Sequence, residues 1–408
     1  MNQQNMISID EALDRIISSL SPVAGYEYLS LKDATGRIAA RDIISPLDVP
    51  PHRNSAMDGY AVAASDLPAD GEVTLEIVGQ SFAGVPYTGE VTAGQCVRIM
   101  TGAVVPAGTD TVIMQEQVQR DGDTIRITCE HAAGQNVRMP GEDIRAGDLV
   151  IEAGRRLGIP EIGLAASLGI GSIEVRRKLR VAICSTGDEL CSPGETLGEG
   201  DIYDSNRPIL TAALQQPAIE LLDLGLIPDN KERVREVFRE VSAFADVLIT
   251  SGGVSVGEAD FVKEVLDEIG QVDFWKIAMK PGKPLAYGKL GNTRFFGLPG
   301  NPVSTLVTFR EFVQPALNQM CGALPRKPLR FSVPLTTEIK RHPGRTEFQR
   351  GILSTDEQGR LSVASTGRQG SHILSSAGKA NCFIILPAES TGAAVGELVT
   401  VEPQGERL

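Results

Sequence analysis

Between residues 179 and 320, short apolar runs alternate with amphipathic segments, and this alternation constrains the fold more than any other feature. The runs and segments follow one another in the order 181–184, 208–215, 219–224, 231–244, 246–250 and 261–269. Strands that alternate with helices at this interval predict a parallel sheet with helices on both faces. The stretch 285–296 has a hairpin-like pattern, and we expect it at an edge of that sheet.

Two regions with a different pattern flank this segment, so we expect three domains. Residues 1–178 begin with a helix capped at Ser8 and contain an inserted module at about 55–140, whose β-branched runs and glycine turns predict a small antiparallel sheet. Residues 325–408 have short alternating segments, which predict a small β-barrel. The expected fold is a multidomain α/β protein, with a central, doubly wound, mostly parallel sheet at 179–324.

Composition excludes several classes of protein. The 408-residue chain has a formal net charge of −13, which argues against a nucleic-acid binder held by bulk phosphate neutralisation. No run approaches the roughly 20 apolar residues that span a bilayer, and the polar first residues do not resemble a signal peptide. The six cysteines form no C-x-x-C pair, and there are only four histidines. We therefore expect a cytoplasmic protein with reduced thiols, no Cys/His zinc site and no membrane contact.

Three loops follow predicted strands, at residues 185–189, 251–260 and 297–302. In a doubly wound sheet, ligands bind beyond the carboxyl ends of the strands, so these loops are the candidate site. The second loop is rich in glycine and hydroxyl groups, and Gly252, Gly253 and Ser255 suit a phosphate cradle. The loop matches neither G-x-G-x-x-G nor a Walker A motif, which disfavours a Rossmann cofactor or a P-loop. A purely structural turn, with Asp260 as a helix cap, is the alternative.

Lysines and carboxylates are expected near the same loops. Lys276, Lys280 and Lys283 lie in a stiff segment with two prolines and a glycine, which favours an anion held by point charges over a solvated surface turn. Four carboxylates follow strands or open helices, namely Asp188, Glu189, Asp229 and Asp260. Each alone is more often a helix cap, but together with phosphates they can bind Mg²⁺. We assign Glu189 and Asp260 as the metal ligands.

A set of motifs then points to a known family. In chain order they are NSAMDGYA at 54–61, MTGA at 100–103, GEDI at 141–144, STGDE at 185–189, SGGVS at 251–255, KPGKP at 280–284 and GLPGNP at 297–302. With this set, the chain resembles the MoeA family of molybdopterin molybdenumtransferases, relatives of the gephyrin E domain. The resemblance covers nearly the whole chain.

The resemblance implies an activity and partners. Such enzymes insert molybdate into adenylylated molybdopterin and release AMP, with Mg²⁺ as the cofactor, in molybdenum cofactor biosynthesis. They are homodimers, with a cleft between the α/β domain of one subunit and the β module of the other. Contact with the upstream adenylyltransferase and with molybdopterin synthase is also expected.

The resemblance also implies site residues. The implied catalytic residues are Asp58, Thr101, Asp143, Glu189, Asp229, Asp260, Lys276 and Lys280. The implied substrate-binding residues are Arg138, Pro299, Pro302, Arg350 and Ser371, to which the loop analysis adds Gly252, Gly253, Ser255 and Lys283. Three alternatives stay open: a non-catalytic pterin-binding scaffold, a molybdopterin adenylyltransferase and a nucleotide amidase on the same α/β domain. The flanking regions disfavour the two enzymes.

Overall fold

The computed structural model of the protein describes residues 6–68, 70–128, 130–252 and 261–405. The chain divides into two compact units. The larger unit comprises residues 1–40, 154–158 and 174–408, and the smaller unit comprises residues 41–153 and 159–173. No helix within the described ranges combines the length and the apolar character needed to cross a membrane.

The helices begin and end close to their sequence signals. Ser8 caps the first one, since its hydroxyl accepts a hydrogen bond from the Glu11 N–H at 3.0 Å. Asn230 caps another in the same way, through the Arg233 N–H at 2.9 Å. The α-helices are Ile9–Ser18, Leu31–Ala34, Ile159–Ser167, Asn206–Leu214, Lys231–Ser242, Phe261–Ile269, Pro302–Thr308, Gln314–Met320 and Leu374–Lys379, and a π-helical turn at Phe309–Val313 joins the seventh to the eighth.

The larger unit contains a six-stranded central sheet. Its strands lie in the order Ile219–Ile227, Leu179–Thr186, Val247–Ser251, Thr293–Leu298, Pro284–Leu290 and Gln271–Lys276. The first four are parallel, and the last two add antiparallel pairs at one edge. The predicted α/β sheet is therefore present, and it is mixed. The hairpin predicted at an edge lies one strand further in, because Gln271–Lys276 pairs with Pro284–Leu290 and is itself the edge strand.

Both faces of the central sheet are buried. Along Leu179–Thr186, Val181 and Ile183 pack into one apolar cluster, whereas Ala182 and Cys184 pack into another on the opposite face. Successive side chains of a strand point to opposite faces, so a strand buried on both sides reads as a continuous apolar run. This is why the sequence of the strand is apolar without alternation.

The smaller unit contains a second six-stranded sheet, and it corrects the prediction of an antiparallel module. Its strands lie in the order Thr111–Met114, Gly59–Val62, Gln95–Ile99, Val73–Ser81, Thr124–Ile127 and Val118–Asp121. Val73–Ser81 and Gln95–Ile99 pair in parallel. Parallel neighbours need a long crossover connection, which residues 82–94 supply. The remaining pairs in this sheet are antiparallel.

The larger unit also contains the C-terminal sheet, which has six strands. Five of them lie in the order Met279–Lys280, Thr346–Thr355, Cys382–Leu386, Leu398–Pro403 and Phe331–Pro334. The sixth, Leu361–Ser365, pairs with Thr346–Thr355. Its first strand comes from the central region and pairs in parallel with Thr346–Glu347. A closed barrel and the three domain limits remain predictions. The short strands outside these sheets are Tyr26–Ser30, Ile43–Ile44, Asn54–Ser55, Val137–Arg138, Leu149–Ile151, Ser172–Arg176, Leu190–Cys191, Ile202–Tyr203, Ile339–Lys340 and Gly392–Ala393.

A buried ion-pair network joins the C-terminal sheet to the π-helical turn. The Glu402 carboxylate lies 2.5 Å from Arg310 Nε and 2.7 Å from Arg330 Nε, and Arg330 Nη2 lies 3.1 Å from Glu311 Oε2. Glu311 is only 8% exposed. Burial and the neighbouring Glu402 charge raise the pKa of Glu311 to about 7, although both arginines oppose the shift.

This pKa predicts how Glu311→Gln changes stability with pH. The carboxyl binds its proton more tightly in the folded protein than in the unfolded chain, so wild-type stability falls as pH rises from about 4.5 to about 7. The glutamine does not titrate. We therefore expect the variant to gain stability relative to wild type across this window, as measured by urea denaturation at pH 5, 6, 7 and 8. The exposed variant Glu357→Gln is the control, and a difference that does not change with pH would contradict the prediction.

Candidate active site

The carboxyl ends of the parallel strands open into a cavity of about 850 Å³. This is where ligands bind in doubly wound sheets, and all three predicted loops reach it. We call it the first cavity. Its lining residues are Thr186, Gly187, Glu189, Asp229, Gly252, Lys280, Pro281, Gly282, Lys283, Pro284, Pro299, Gly300, Asn301, Ser304, Arg345, Gln369, Gly370 and Ser371.

Gly252 holds the backbone at the end of a central strand. Its φ is +90°, and a Cβ there would lie 2.5 Å from the Thr186 carbonyl oxygen. Only glycine fits this position without displacing the backbone of the neighbouring strand. The other cradle residues, Gly253 and Ser255, lie outside the described residues.

Hydroxyl groups are buried at the same strand ends. Within the described part of the chain, the side-chain oxygens of Ser185, Thr186 and Thr250 have no hydrogen-bond partner. Leaving a buried polar group unpaired costs roughly 1–3 kcal/mol. Thr186 lines the first cavity, where its hydroxyl can donate to an oxygen of a bound ligand.

Two carboxylates, Glu189 and Asp229, lie on the wall of the first cavity. The Asp229 N–H donates to the Asp188 carboxylate at 2.9 Å. Partial removal from water and the charges of Asp188 and Glu189 raise the pKa of Asp229. The described residues contain no group of three histidine, cysteine or carboxylate side chains placed to hold a metal. Asp260 lies outside the described residues, so the proposed Glu189–Asp260 metal site remains a prediction.

Two of the three predicted lysines, Lys280 and Lys283, line the first cavity. The Lys280 ammonium lies 3.0 Å from the Glu347 carboxylate, which is 4% exposed, while the lysine side chain is 49% exposed. The lysine is therefore anchored on one side and accessible on the other. Lys276 is exposed at the end of its strand and lines no cavity that we describe.

Two predicted residues of the C-terminal region have different positions. Ser371 lines the first cavity, as predicted, whereas Arg350 is buried and does not reach the cavity surface. Arg350 is 1% exposed; its guanidinium donates to Ser376 Oγ at 3.0 Å and to the Gly370 carbonyl at 3.2 Å. Burial lowers its pKa to about 10. As placed, Arg350 supports the loop 369–371 and does not line the first cavity.

The predicted prolines have different positions. Pro299 lines the cavity, and its carbonyl accepts a hydrogen bond from the Thr305 hydroxyl at 2.6 Å. Pro302 is the first residue of the helix Pro302–Thr308 and is absent from the cavity lining. The position of Pro302 therefore fits a structural role at the start of a helix, where proline is favoured.

The four predicted residues of the N-terminal half all belong to the smaller unit. The Asp58 carboxylate accepts hydrogen bonds from the Thr101 N–H at 2.8 Å and from the Thr101 hydroxyl at 2.7 Å. These two bonds lower the pKa of Asp58. Arg138 and Asp143 are both exposed. Asp58 and Thr101 thus form a local pair.

Arg345 and Gln369 line the first cavity and were missed by the sequence analysis. The Arg345 guanidinium donates to the Met279 carbonyl at 3.3 Å, next to Lys280. Gln369 accepts from the Arg350 N–H at 2.8 Å. The sequence did contain a signal for Arg345. Arg345 lies three residues before Phe348, which is buried in the strand Thr346–Thr355. Because side chains alternate between the two faces of a strand, Arg345 lies on the face opposite to Phe348.

Family comparisons agree with the motifs. Residues 7–169 match the MoeA N-terminal region (domain I and II), residues 182–319 match a probable molybdopterin binding domain, and residues 332–404 match the MoeA C-terminal region (domain IV).

Individual proteins match over nearly the whole chain. A molybdopterin molybdenumtransferase of Haemophilus influenzae is 49% identical over 400 residues, 98% of each chain. A gephyrin of Dictyostelium discoideum is 34% identical over 97% of this chain and 62% of its own length. A crystal structure of a molybdopterin biosynthesis moeA protein from Pyrococcus horikoshii has a TM-score of 0.85 at 30% identity, covering 98% of this chain and all of that one.

The geometry of Gly252 predicts the cost of adding one carbon atom. We expect Gly252→Ala to lower the free energy of unfolding by about 3 kcal/mol, because it combines a strained φ with a backbone clash. The matched control is Gly291→Ala, where φ is +59° and no atom lies within 4 Å of the new Cβ. That change should cost about 1 kcal/mol. Urea denaturation followed by the fluorescence of Trp275, the single tryptophan, measures both, and equal costs would contradict the steric argument.

Proposed function

Because this chain belongs to the MoeA family, we propose that it is a transferase of molybdenum cofactor biosynthesis that delivers molybdenum to molybdopterin. The relatives named molybdopterin molybdenumtransferase support this assignment. The observation that carries it is the first cavity, where a glycine-bordered strand end faces two lysines and an arginine. The arrangement suits reactants that are anions.

We propose adenylylated molybdopterin and molybdate as the two substrates, with AMP as a released product. Both substrates are negatively charged, so their mutual repulsion opposes the encounter of the dithiolene sulfurs with molybdenum. Fixed cations in the cavity offset this repulsion and need little reorganisation during the reaction. Holding the two reactants side by side then supplies a further part of the rate gain.

Each residue has a distinct part in this proposal. Gly252 lets the backbone approach a phosphate, and the Thr186 hydroxyl donates to one of its oxygens. Lys280, Lys283 and Arg345 neutralise the anions, and Ser371 offers a hydroxyl from the same cavity lining. Lys280 is already oriented by Glu347, which leaves it little freedom to lose on binding. For Asp58, Thr101, Arg138, Asp143 and Lys276, the roles in catalysis or binding rest on the family resemblance. For Gly253 and Ser255, the proposed phosphate contacts rest on the glycine-rich and hydroxyl-rich sequence of their loop.

We propose Mg²⁺ as the cofactor. The donor set fits, because Glu189 and Asp229 bring two carboxylates to a cavity suited to phosphate. Partial burial, and then the charges of Asp188 and Glu189, raise the pKa of Asp229. Mg²⁺ takes one or two carboxylates together with substrate phosphates. Glu189 and Asp260 would hold it, and Asp229 lines the same cavity as Glu189. When bound, the ion polarises a phosphoryl oxygen and so favours departure of AMP.

Other features are proposed on family membership alone. These are a homodimer, a cytoplasmic location, and contact with the upstream adenylyltransferase and molybdopterin synthase. Arg350 enters as a support of the loop 369–371, through its bond to the Gly370 carbonyl.

The proposed function can be tested at Lys280. We expect Lys280→Ala to slow AMP release about 100-fold, because a fixed cation is lost from the site where anions meet. The measurement is AMP formed from adenylylated molybdopterin in the presence of molybdate.

The matched control for that experiment is Lys289→Ala, an exposed lysine on the central-sheet strand Pro284–Leu290 that lines neither cavity described here. It should release AMP at the wild-type rate. If Lys280→Ala kept that rate too, Lys280 would have no part in neutralising the anions. If the wild-type protein released no AMP when given molybdate, the transferase assignment would fail.

A second prediction concerns the cofactor. Glu189→Gln removes one negative ligand, so the Mg²⁺ concentration for half-maximal AMP release should rise about tenfold or more. A titration with MgCl₂ measures this, with the helix-surface variant Glu236→Gln as the control. An unchanged titration curve for Glu189→Gln would remove Glu189 from the metal site.

A further inference from the structure

Asn206 joins two strand ends that open into the first cavity. It is the first residue of the helix Asn206–Leu214 and is 8% exposed. Its side-chain nitrogen donates to Ser251 Oγ at 2.7 Å and to the Gly300 carbonyl at 2.7 Å. Gly300 lines the first cavity, and Ser251 immediately precedes Gly252, which lines it too. We call these two hydrogen bonds the Asn206 bridge.

The Asn206 bridge lies where the pairing of two central strands ends. The last residue pair in their parallel register is Ser251 with Leu298. The Gly252 N–H then donates to the Leu298 carbonyl at 3.2 Å. Gly300 lies beyond this ladder, so its carbonyl is held by a bond from outside the sheet, the one that Asn206 donates.

The orientation of the Asn206 amide follows from its partners. A carbonyl oxygen only accepts hydrogen bonds, so the nitrogen of the amide, and not its oxygen, faces Gly300. The two hydrogens of that nitrogen serve the two acceptors. The helix start is fixed in turn by Asp204, whose side chain is 1% exposed and accepts from the N–H groups of Asn206 at 3.0 Å and Arg207 at 3.1 Å.

A role as a helix cap does not account for Asn206. Asparagine near a helix start usually caps the helix with its side-chain oxygen, but Asp204 does so here. Asn206 Oδ1 is buried and has no hydrogen-bond partner within the described part of the chain. Leaving such an oxygen unpaired costs roughly 1–3 kcal/mol. The side chain is therefore placed for its nitrogen, which serves both strand ends.

Asn206 does not itself reach a cavity. A second cavity, of about 570 Å³, lies next to the first one, and Lys280, Arg345 and Gln369 line both cavities and form their common border. Asn206 is absent from both linings. It therefore acts on a ligand in the first cavity only through the backbone that it holds.

We propose that Asn206 is a positioning residue, which keeps Gly252 and Gly300 at the separation that the phosphate-bearing substrate requires. This inference rests on the proposed function, in which the first cavity holds the anionic end of that substrate. Only molecules in which both strand ends have the binding geometry accept the anion. Removal of the bridge lowers that fraction, and the apparent affinity for the ligand falls by the same factor.

The experiment measures AMP affinity and local hydrogen exchange in the full-length protein. We expect Asn206→Ala to raise the Kd for AMP, titrated by calorimetry, about tenfold. Deuterium exchange should become faster in the peptides that contain residues 247–252 and 293–301, and stay unchanged in the C-terminal sheet.

The matched control is Asn381→Ala. Asn381 also makes two side-chain hydrogen bonds to backbone, with the Leu353 N–H at 2.7 Å and the Leu353 carbonyl at 2.8 Å, but it lines neither cavity. This variant should bind AMP like wild type and exchange like wild type in residues 247–252 and 293–301.

Ser251→Ala is a second variant, which removes one acceptor and keeps the bond to Gly300. It should speed exchange in residues 247–252 more than in residues 293–301. Combined with Asn206→Ala, it should raise the Kd for AMP no further, because both changes break the same bridge. If Asn206→Ala does not fold, as judged by Trp275 fluorescence in urea, Ser251→Ala alone decides, and unchanged exchange at both strand ends would overturn the inference.

The remaining outcomes separate this inference from the proposed function. Wild-type AMP affinity in folded Asn206→Ala, additive effects in the double variant, or exchange that is faster throughout the protein would overturn the positioning role. If the wild-type protein neither bound nor released AMP, the proposed function would fail. The exchange at the two strand ends would then decide by itself whether Asn206 holds them together.

Discussion

The pairing of Lys280 with Glu347 is the contact on which the candidate site depends. Met279–Lys280 leaves the central sheet region and becomes the edge strand of the C-terminal sheet, in parallel register with Thr346–Glu347. The Thr346 N–H also bonds the Ala278 carbonyl at 3.0 Å. The backbone pairing sets the register, and the buried carboxylate then fixes the ammonium at the border of both cavities. Without this docking, neither cavity would have its common wall.

The first cavity gathers cationic side chains in an acidic protein. The chain has a net charge of −13, yet Lys280, Lys283 and Arg345 surround the first cavity. Local arrangement decides binding here, because charges further apart than about 8–10 Å are largely screened at physiological ionic strength. The carboxylates Glu189 and Asp229 line the same cavity. A substrate that brings phosphates, and a divalent cation between them and the carboxylates, suits both sets of charges.

Much of the fold could be predicted, since local patterns report local structure. The apolar run 181–184 and the helix capped at Ser8 were assigned correctly because burial on both faces and capping are visible along the chain. The parallel pair in the smaller sheet was not predicted. Pairing depends on which strands meet after a crossover, and the strand pattern is the same for either direction.

For the site, the sequence by itself determined the loops at the carboxyl ends of the strands, the glycine at position 252 and the lysine-rich turn. Each follows from a local rule of backbone conformation or chain topology. Only the tertiary structure decided which cationic side chains face the cavities. Arg345 and Arg350 are both arginines near one strand, but the alternation of faces and the packing of Phe348 turn Arg350 toward Gly370, whereas Arg345 lines both cavities. Side-chain direction is set by what packs against the strand, and that partner is distant in sequence.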